Sequence, residues 1–506
     1  MKQIQKCLAA GAAALFCALG THADQKAINP QVRKIVDEVS EERIKANIEK
    51  LAGFGTRNTL SNPDDPVHGV GAARQWIFEQ FKSYSPRLQV RFDKWRVKKQ
   101  GQRIFKDVDL YDVVAVLPGK SMPETEILVT GHYDSVNLGQ RQAPPPNADG
   151  TAGAAPRGQM TPEEFEKNAN LPAPGACDDG SGTANVMELA RVMSQYEFDK
   201  TLVFIAFAGE EQGLVGSTLE AAKAKKENEG IEAVINSDII GTEVSGNGRI
   251  DNGSVSVYSD EVMDSPNQQL ARLYREIGER YVPSMKVKVM FMQDRLGRGG
   301  DHTPFQLEGF AAVRVSTPNE NYSNQHTATD TLDNMSVPYT TRVTRINGAV
   351  AASLALAPRP PAVMSLPGRG RGQGTGTDGA AATPPSTAST DGAGRAGGTG
   401  TGTGAPPRGP QPMISRGQSR YDAQLRWRTV GSDKNLAGFA VVLRSTTAPF
   451  WDQEIFVGKV NEYTLKDVSI DDVRFGVKAV GLDGTESLVS PYVYPARKKV
   501  EYETVQ

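Results

Sequence analysis

Between residues 112 and 354 short β-rich runs alternate with helical patterns, and that alternation leaves the chain very few architectures. The runs fall at 112–117, 126–130, 201–208, 233–239, 286–292 and 311–316. Between them Val186, Leu189, Ala190 and Met193 recur at i, i+3, i+4 and i+7 behind a Ser181 or Thr183 cap, the pattern of an amphipathic helix. Ser265-Pro266 opens a second helix, with Leu270, Leu273, Tyr274 and Ile277 on one face. Pro338 opens a third, which carries Val343, Ile346, Val350 and Leu354. Apolar strands separated by helices predict an α/β sandwich around a largely parallel sheet. Ligands of such folds collect at the carboxyl ends of the strands.

Two segments break the pattern. Residues 358–412 hold fourteen Gly and ten Pro in 55 positions, too little apolar surface to offset chain entropy. This predicts a disordered linker between two mechanically independent units, about 24–357 and about 413–506. The second unit has short alternating runs at 425–430, 438–444, 455–460, 463–465 and 474–480, the spacing of a small all-β sandwich. The other break is 139–174, with three consecutive prolines from Pro144, which reads as a long surface loop with room for one helical turn at 161–167.

At the N-terminus Lys2 and Lys6 precede an apolar run from Cys7 to Leu19, and Thr21-His22-Ala23 follows. This predicts a secretory signal peptide over 1–23, cleaved near Ala23, and export to the periplasm or beyond. The run falls short of the roughly 20 residues a transmembrane helix needs. Its removal takes Cys7 and Cys17 and leaves Cys177 alone, so no disulfide framework forms. With 57 Lys and Arg against 59 Asp and Glu, no global field gathers nucleic acid or anionic membrane.

The polar residues sit where the fold would bring them together. The run at 126–130 ends in Gly131-His132-Tyr133-Asp134, and 201–208 ends in Gly209-Glu210-Glu211-Gln212-Gly213. Asp238 closes a third run, and 311–316 leads through a loop to Asn324-Gln325-His326-Thr327. Between the first two lies Cys177-Asp178-Asp179-Gly180-Ser181-Gly182, a Gly-rich turn opening a helix. Carboxylates gathered in one site repel unless a cation joins them, and imidazoles mixed with carboxylates suit zinc. Two histidines and three carboxylates give two three-ligand sites if one carboxylate bridges, the arrangement of a two-metal hydrolase. A further carboxylate is left to move protons. Asp179, beside Asp178, is read as a helix cap, and Cys177 as an inert thiol.

In that order, GHYDS, ACDDGSG, GEEQGLVGS, the lone Asp238 and NQHTATDT closely resemble the co-catalytic di-zinc aminopeptidases, zinc metallopeptidase family twenty-eight. The resemblance covers roughly residues 40–357, including RNTLSNPDD and GDHTPF. It implies a three-layer zinc-exopeptidase sandwich with a mixed, largely parallel sheet, and two zinc ions. His132 and Asp238 would then hold one zinc, Glu211 and His326 the other, with Asp178 bridging. Glu210 would be the general base that deprotonates the bridging water, and Asp134 the residue that orients His132. Relatives often carry Tyr before the last histidine to stabilise the oxyanion, where this chain has Gln325. Tyr322 is the substitute candidate, and His302, in GDHTPF, is a second candidate for a substrate-side role. The C-terminal unit resembles a fibronectin type III module, which implies binding to a surface or another protein.

The combined expectation is an exported zinc-dependent aminopeptidase that acts on peptide substrates. A carboxypeptidase or a glutaminyl cyclase would use the same scaffold, but a cyclase needs one working zinc and this chain keeps every ligand of both. A non-catalytic surface receptor is the reading from another class; it would be expected to have lost ligands or the base, and none is missing.

Overall fold

A computed structural model describes residues 28–139, 160–364, 414–417 and 419–493. The expected signal peptide, most of the 139–174 loop and most of the linker lie outside the described residues. Among those described, no helix is long and apolar enough to cross a membrane.

Eight strands form one sheet: β1 (Gln89–Val97), β2 (Val108–Leu117), β3 (Met122–His132), β4 (Lys200–Phe207), β5 (Gly230–Ser237), β6 (Ser254–Tyr258), β7 (Lys286–Met290) and β8 (Ala312–Ser316). Their order is β1-β2-β4-β3-β5-β8-β6-β7. The central strands β4, β3, β5 and β8 run parallel to their neighbours in turn, so all four deliver their carboxyl ends to one edge. The sheet is mixed because β2 meets β4, and β6 meets β8, antiparallel. Every residue of β4 is buried, as a strand covered by helices on both faces must be.

All six strand runs read from the sequence are present, and all three helices, at Gly180–Met193, Pro266–Tyr281 and Val337–Leu356. Ser181 and Thr183 lie inside the first of these helices rather than capping it, and the cap falls to Asp179, the other residue the sequence offered. Asp179 accepts from the Gly182 amide, and Ser265 and Ser336 cap helices whose first turn contains a proline. The sequence reading missed β1 and β6. β1 is an edge strand studded with Arg91, Asp93, Lys94 and Arg96, and β6 alternates serine with valine, so neither shows an apolar run. In the 139–174 loop the expected turn is a helix at Pro162–Asn168, closed by a capping box between Thr161 and Glu164.

The C-terminal unit has two small antiparallel sheets, of three and four strands, around Trp427, Phe439, Val441, Phe475 and Val477. Two expectations about it are corrected. The linker begins later than 358: Ala362–Val363 is already a strand, paired with Trp427 and Arg428. The units are also docked rather than independent. Asp264, at the approach to the helix Pro266–Tyr281, is buried between Arg272 of that helix (3.1 Å) and Arg444 of the C-terminal unit (2.8 Å). Trp451 donates to Gln269 at 2.9 Å, and the Arg275 guanidinium lies 4.0 Å from the Phe450 ring centre. Leu488 packs into the core of the larger unit. Linker composition reports on the connecting chain, not on the faces it connects, which is why the sequence predicted otherwise.

Candidate metal centre

The carboxyl edge of the sheet brings the predicted ligands together. His132, the last residue of β3, is buried, with Nε2 3.3 Å from Asp178 Oδ1 and 3.9 Å from Asp238 Oδ1. His326 approaches from the loop after β8, with Nε2 2.9 Å from Asp178 Oδ2 and 3.2 Å from Glu211 Oε1. Each oxygen of Asp178 therefore faces a different histidine. Two triads result, His132–Glu210–Asp238 and Asp178–Glu211–His326, and within each the potential ligand atoms lie within 4.8 Å of one another.

The surroundings fix these groups. Asp134 lies behind His132, its carbonyl 3.2 Å and its carboxylate 3.5 Å from Nδ1. The same carboxylate accepts from the amides of Glu210 and Glu211, both at 3.2 Å, so one buried acid sets the imidazole and the Glu-Glu turn together. The Asp178 amide donates to Asp330 at 3.0 Å. Asp179 turns away, accepting from the amides of Gly182 (2.8 Å) and His132 (3.1 Å), which fulfils the cap reading. A Cβ on Gly182 would come within 2.2 Å of the Asp179 carboxylate and the Ser237 carbonyl, so this helix start requires glycine. Cys177 is buried, its Sγ 2.9 Å from Thr242 Oγ1, and belongs to neither triad.

The electrostatics are those of acids crowded in a dry place. Burial, with Glu211, Asp238 and Asp301 close by, holds Glu210 well above the ordinary carboxylate range. Burial opposes the charge on Asp178 too, but His132 and His326 hold it well below that range. Burial likewise acts against charge on His326, yet Glu211 and Asp178 raise it well above the usual imidazole value. Asp238 has the cleft's closest cationic side chain, with Arg314 Nη2 3.0 Å from Oδ1.

A divalent cation fits this donor set. His132 Nε2 and Glu211 Oε1 are buried without a hydrogen-bond partner, and each points into one triad. Such orphaned atoms are costly unless something coordinates them. Imidazole nitrogen mixed with carboxylate oxygen is a zinc-type set, and three ligands per site leave a position open.

Two sequence candidates do not reach the cleft. Tyr322 is 65% exposed and lines a separate surface hollow with Ser245 and Arg249. His302 is buried at the start of the short helix His302–Leu307, Nε2 2.8 Å from the Gln293 carbonyl, and burial draws it down to about 4. Gln325 donates to Asp178 at 2.7 Å.

Sequence reasoning also missed supporting residues. Arg57, fully buried, donates to the carbonyls of Tyr133 (2.6 Å) and Gly175 (2.8 Å), tying together the loops that carry His132 and Asp178. Arg314 joins Asp238 to Asp294. Its signal was available: a lone charge inside the apolar run AAVRVS has to find a partner if that run is buried.

Residues 112–351 match Peptidase family M28. A probable zinc metalloprotease of Leptosphaeria maculans is 31% identical over 496 residues, spanning 92% of this chain and 96% of the relative. A probable zinc metalloprotease of Pyricularia oryzae is 33% identical over 486 residues, spanning 89% and 82%. The chain belongs to Peptidase family M28. Among solved structures, the Legionella pneumophila LapA aminopeptidase aligns with a TM-score of 0.47 and 20% identity, covering 65% of this chain and 76% of that one.

Proposed function

We propose that the protein is an exported di-zinc aminopeptidase that removes N-terminal residues from peptides. The observation that carries this reading is Asp178, whose two oxygens face two different histidines, each within a separate triad. His132 and Asp238 would hold one zinc, Glu211 and His326 the other, and Asp178 both. Zinc bound there would polarise a scissile carbonyl and make water acidic enough to attack near neutral pH.

Glu210 belongs to the first triad by distance but serves here as the proton carrier. A carboxylate beside the two zinc positions is placed to take a proton from the attacking water and return it to the leaving amine. Asp134 holds both the His132 ring and the Glu210 amide, so the base and a ligand keep a fixed spacing. The cleft beside the triads has a volume of about 240 Å³. That lies below the ~300–1,000 Å³ of ordinary ligand pockets, which favours a terminal residue over an extended chain. Export rests on the basic, apolar and small-residue sequence of the first 23 positions.

The test is a panel of aminoacyl chromogenic substrates and N-terminally blocked peptides, with and without a strong chelator. The expected result is cleavage of free-amine substrates alone, abolished by chelation and restored by zinc. Cleavage of N-blocked peptides at the C-terminus would make it a carboxypeptidase, and cyclisation of N-terminal glutamine without hydrolysis would make it a cyclase.

A further inference from the structure

The cleft that holds the triads is also lined by three arginines, Arg103, Arg298 and Arg314. Arg314 is committed to Asp238 and Asp294. The other two are placed differently. Arg298 sits between Gly297 and Gly299, with its side chain 29% exposed, and Glu320 at 3.0 Å and Gln325 Oε1 at 3.5 Å both engage the same nitrogen, Nη1. Among the described residues its five-donor fork makes no further hydrogen bond, and its Cζ lies 5.9 Å from the centre of the Tyr322 ring. Arg103, from the loop between β1 and β2, donates Nη1 to the Glu211 carbonyl at 2.6 Å and has no carboxylate partner among the described residues.

The cleft lining carries three guanidinium groups and four carboxylates, Asp178, Glu210, Glu211 and Asp238. Those four acids belong to the two triads, where divalent cations would oppose them. Arg314 is tied to one of them, Asp238. Arg298 and Arg103 pair with no acid of the triads among the described residues, so they are the guanidinium groups left to meet an anionic group of a substrate.

We propose that Arg298, assisted by Arg103, forms a carboxylate-recognition subsite that selects substrates bearing a carboxylate next to the scissile bond. This rests on the peptidase reading and narrows its substrate class. A guanidinium fork matches a carboxylate in a way that a neutral amide cannot reproduce. The carboxylate has two sources, the side chain of an N-terminal Glu or Asp and the free α-carboxylate of a dipeptide.

The test uses the zinc-loaded full chain and its Arg298→Gln and Arg298→Lys variants. One arm compares Glu with Gln p-nitroanilides, and the other compares Leu-Gly with Leu-Gly amide. Binding of L-glutamate and L-glutamine, and of the uncleaved dipeptide D-Leu-Gly and its amide, is measured alongside by calorimetry, which needs no turnover. A charged hydrogen bond is worth on the order of 10–100-fold, so the acid should be preferred by about that ratio in one arm. Arg298→Gln should reduce the ratio to within about twofold, and Arg298→Lys should keep part of it. Equal treatment of acid and amide by the native protein in both arms, or a ratio that survives Arg298→Gln, overturns the subsite. If peptides are cleaved with no acid preference, the subsite fails and the peptidase reading stands. If the acid preference appears in binding but no substrate is cleaved, the peptidase reading fails and the subsite stands.

Discussion

Acidic side chains crowd together at both the metal cleft and the junction between the two folded units, and the two places settle the charge differently. At the junction Asp264 accepts from Arg444 with both oxygens and pairs with Arg272. Close by, Glu276, Glu454 and Glu486 lie as near to one another as metal ligands do, yet Lys478 reaches Glu454 at 2.8 Å and Glu486 at 2.9 Å. Arg280 reaches Glu276 and Glu486 at 2.9 and 3.2 Å. In the cleft, Asp178 and Glu211 are paired with imidazoles, and of the acids there Asp238 alone has a close arginine. Proximity of carboxylates is thus a poor sign of a metal. Neutralisation by the protein's own cations marks a joint, whereas acids left with histidines mark a seat for a cation.

The largest expected effect separates two adjacent residues inside the cleft. General-base catalysis typically contributes 10²–10⁴-fold, so Glu210→Gln should lose about that much turnover while keeping its zinc. Glu211→Gln, which exchanges an anionic ligand for a neutral one, should lose zinc as well as rate. Turnover and metal content measured on both variants check the assignment, and a Glu210→Gln protein that sheds zinc beside a loaded Glu211→Gln protein would reverse the roles.

A smaller effect probes the junction. Removing one partner of a buried ion pair typically costs ~3–5 kcal/mol, so Arg444→Ala should lower stability by several kcal/mol. A urea titration of the native and variant proteins reads this directly. The loss should fall below that ceiling, because Arg272 still faces Asp264. If the midpoint of the larger unit does not move, the two units are as independent as the linker composition predicted, and the buried acids of the junction do not hold them together.

How much of this was legible in the sequence follows from how local each signal is. The central strands and three main helices were readable because apolar runs and periodic faces report burial directly. Five of the seven C-terminal strands were found within two residues of their ends for the same reason, while the two-residue strands Ala362–Val363 and Ser490–Pro491 were too short to show a run. Among the candidate ligands, His132, Glu211 and Asp238 could be read because they lie at or just past the ends of such runs, where the topology of a parallel sheet sends them, whereas Asp178 before a helix and His326 on a loop were read from the order of the motifs. Tyr322 failed as a cleft residue because its candidacy came from nearness in sequence to motif residues, and a loop can turn a side chain either way, whereas His302, itself inside GDHTPF, is buried at a helix start. Arg57, Asp330 and Arg298 act across 76, 152 and 22 residues of chain, respectively, separations that leave no periodic trace. The docked junction was illegible for a related reason: Asp264 and Arg444 stand 180 residues apart on either side of the linker.

The central claim is that the cleft seats two cations and the junction none, and metal content tests it most directly. Purified full-length protein, dialysed against chelator and reloaded with zinc, should return to about two zinc per chain, with activity rising until both sites are filled. His132→Ala should lower the count while Lys478 and its glutamates stay intact. A protein that is fully active at one zinc per chain, or one that keeps two after both His132 and His326 are replaced, would contradict the account.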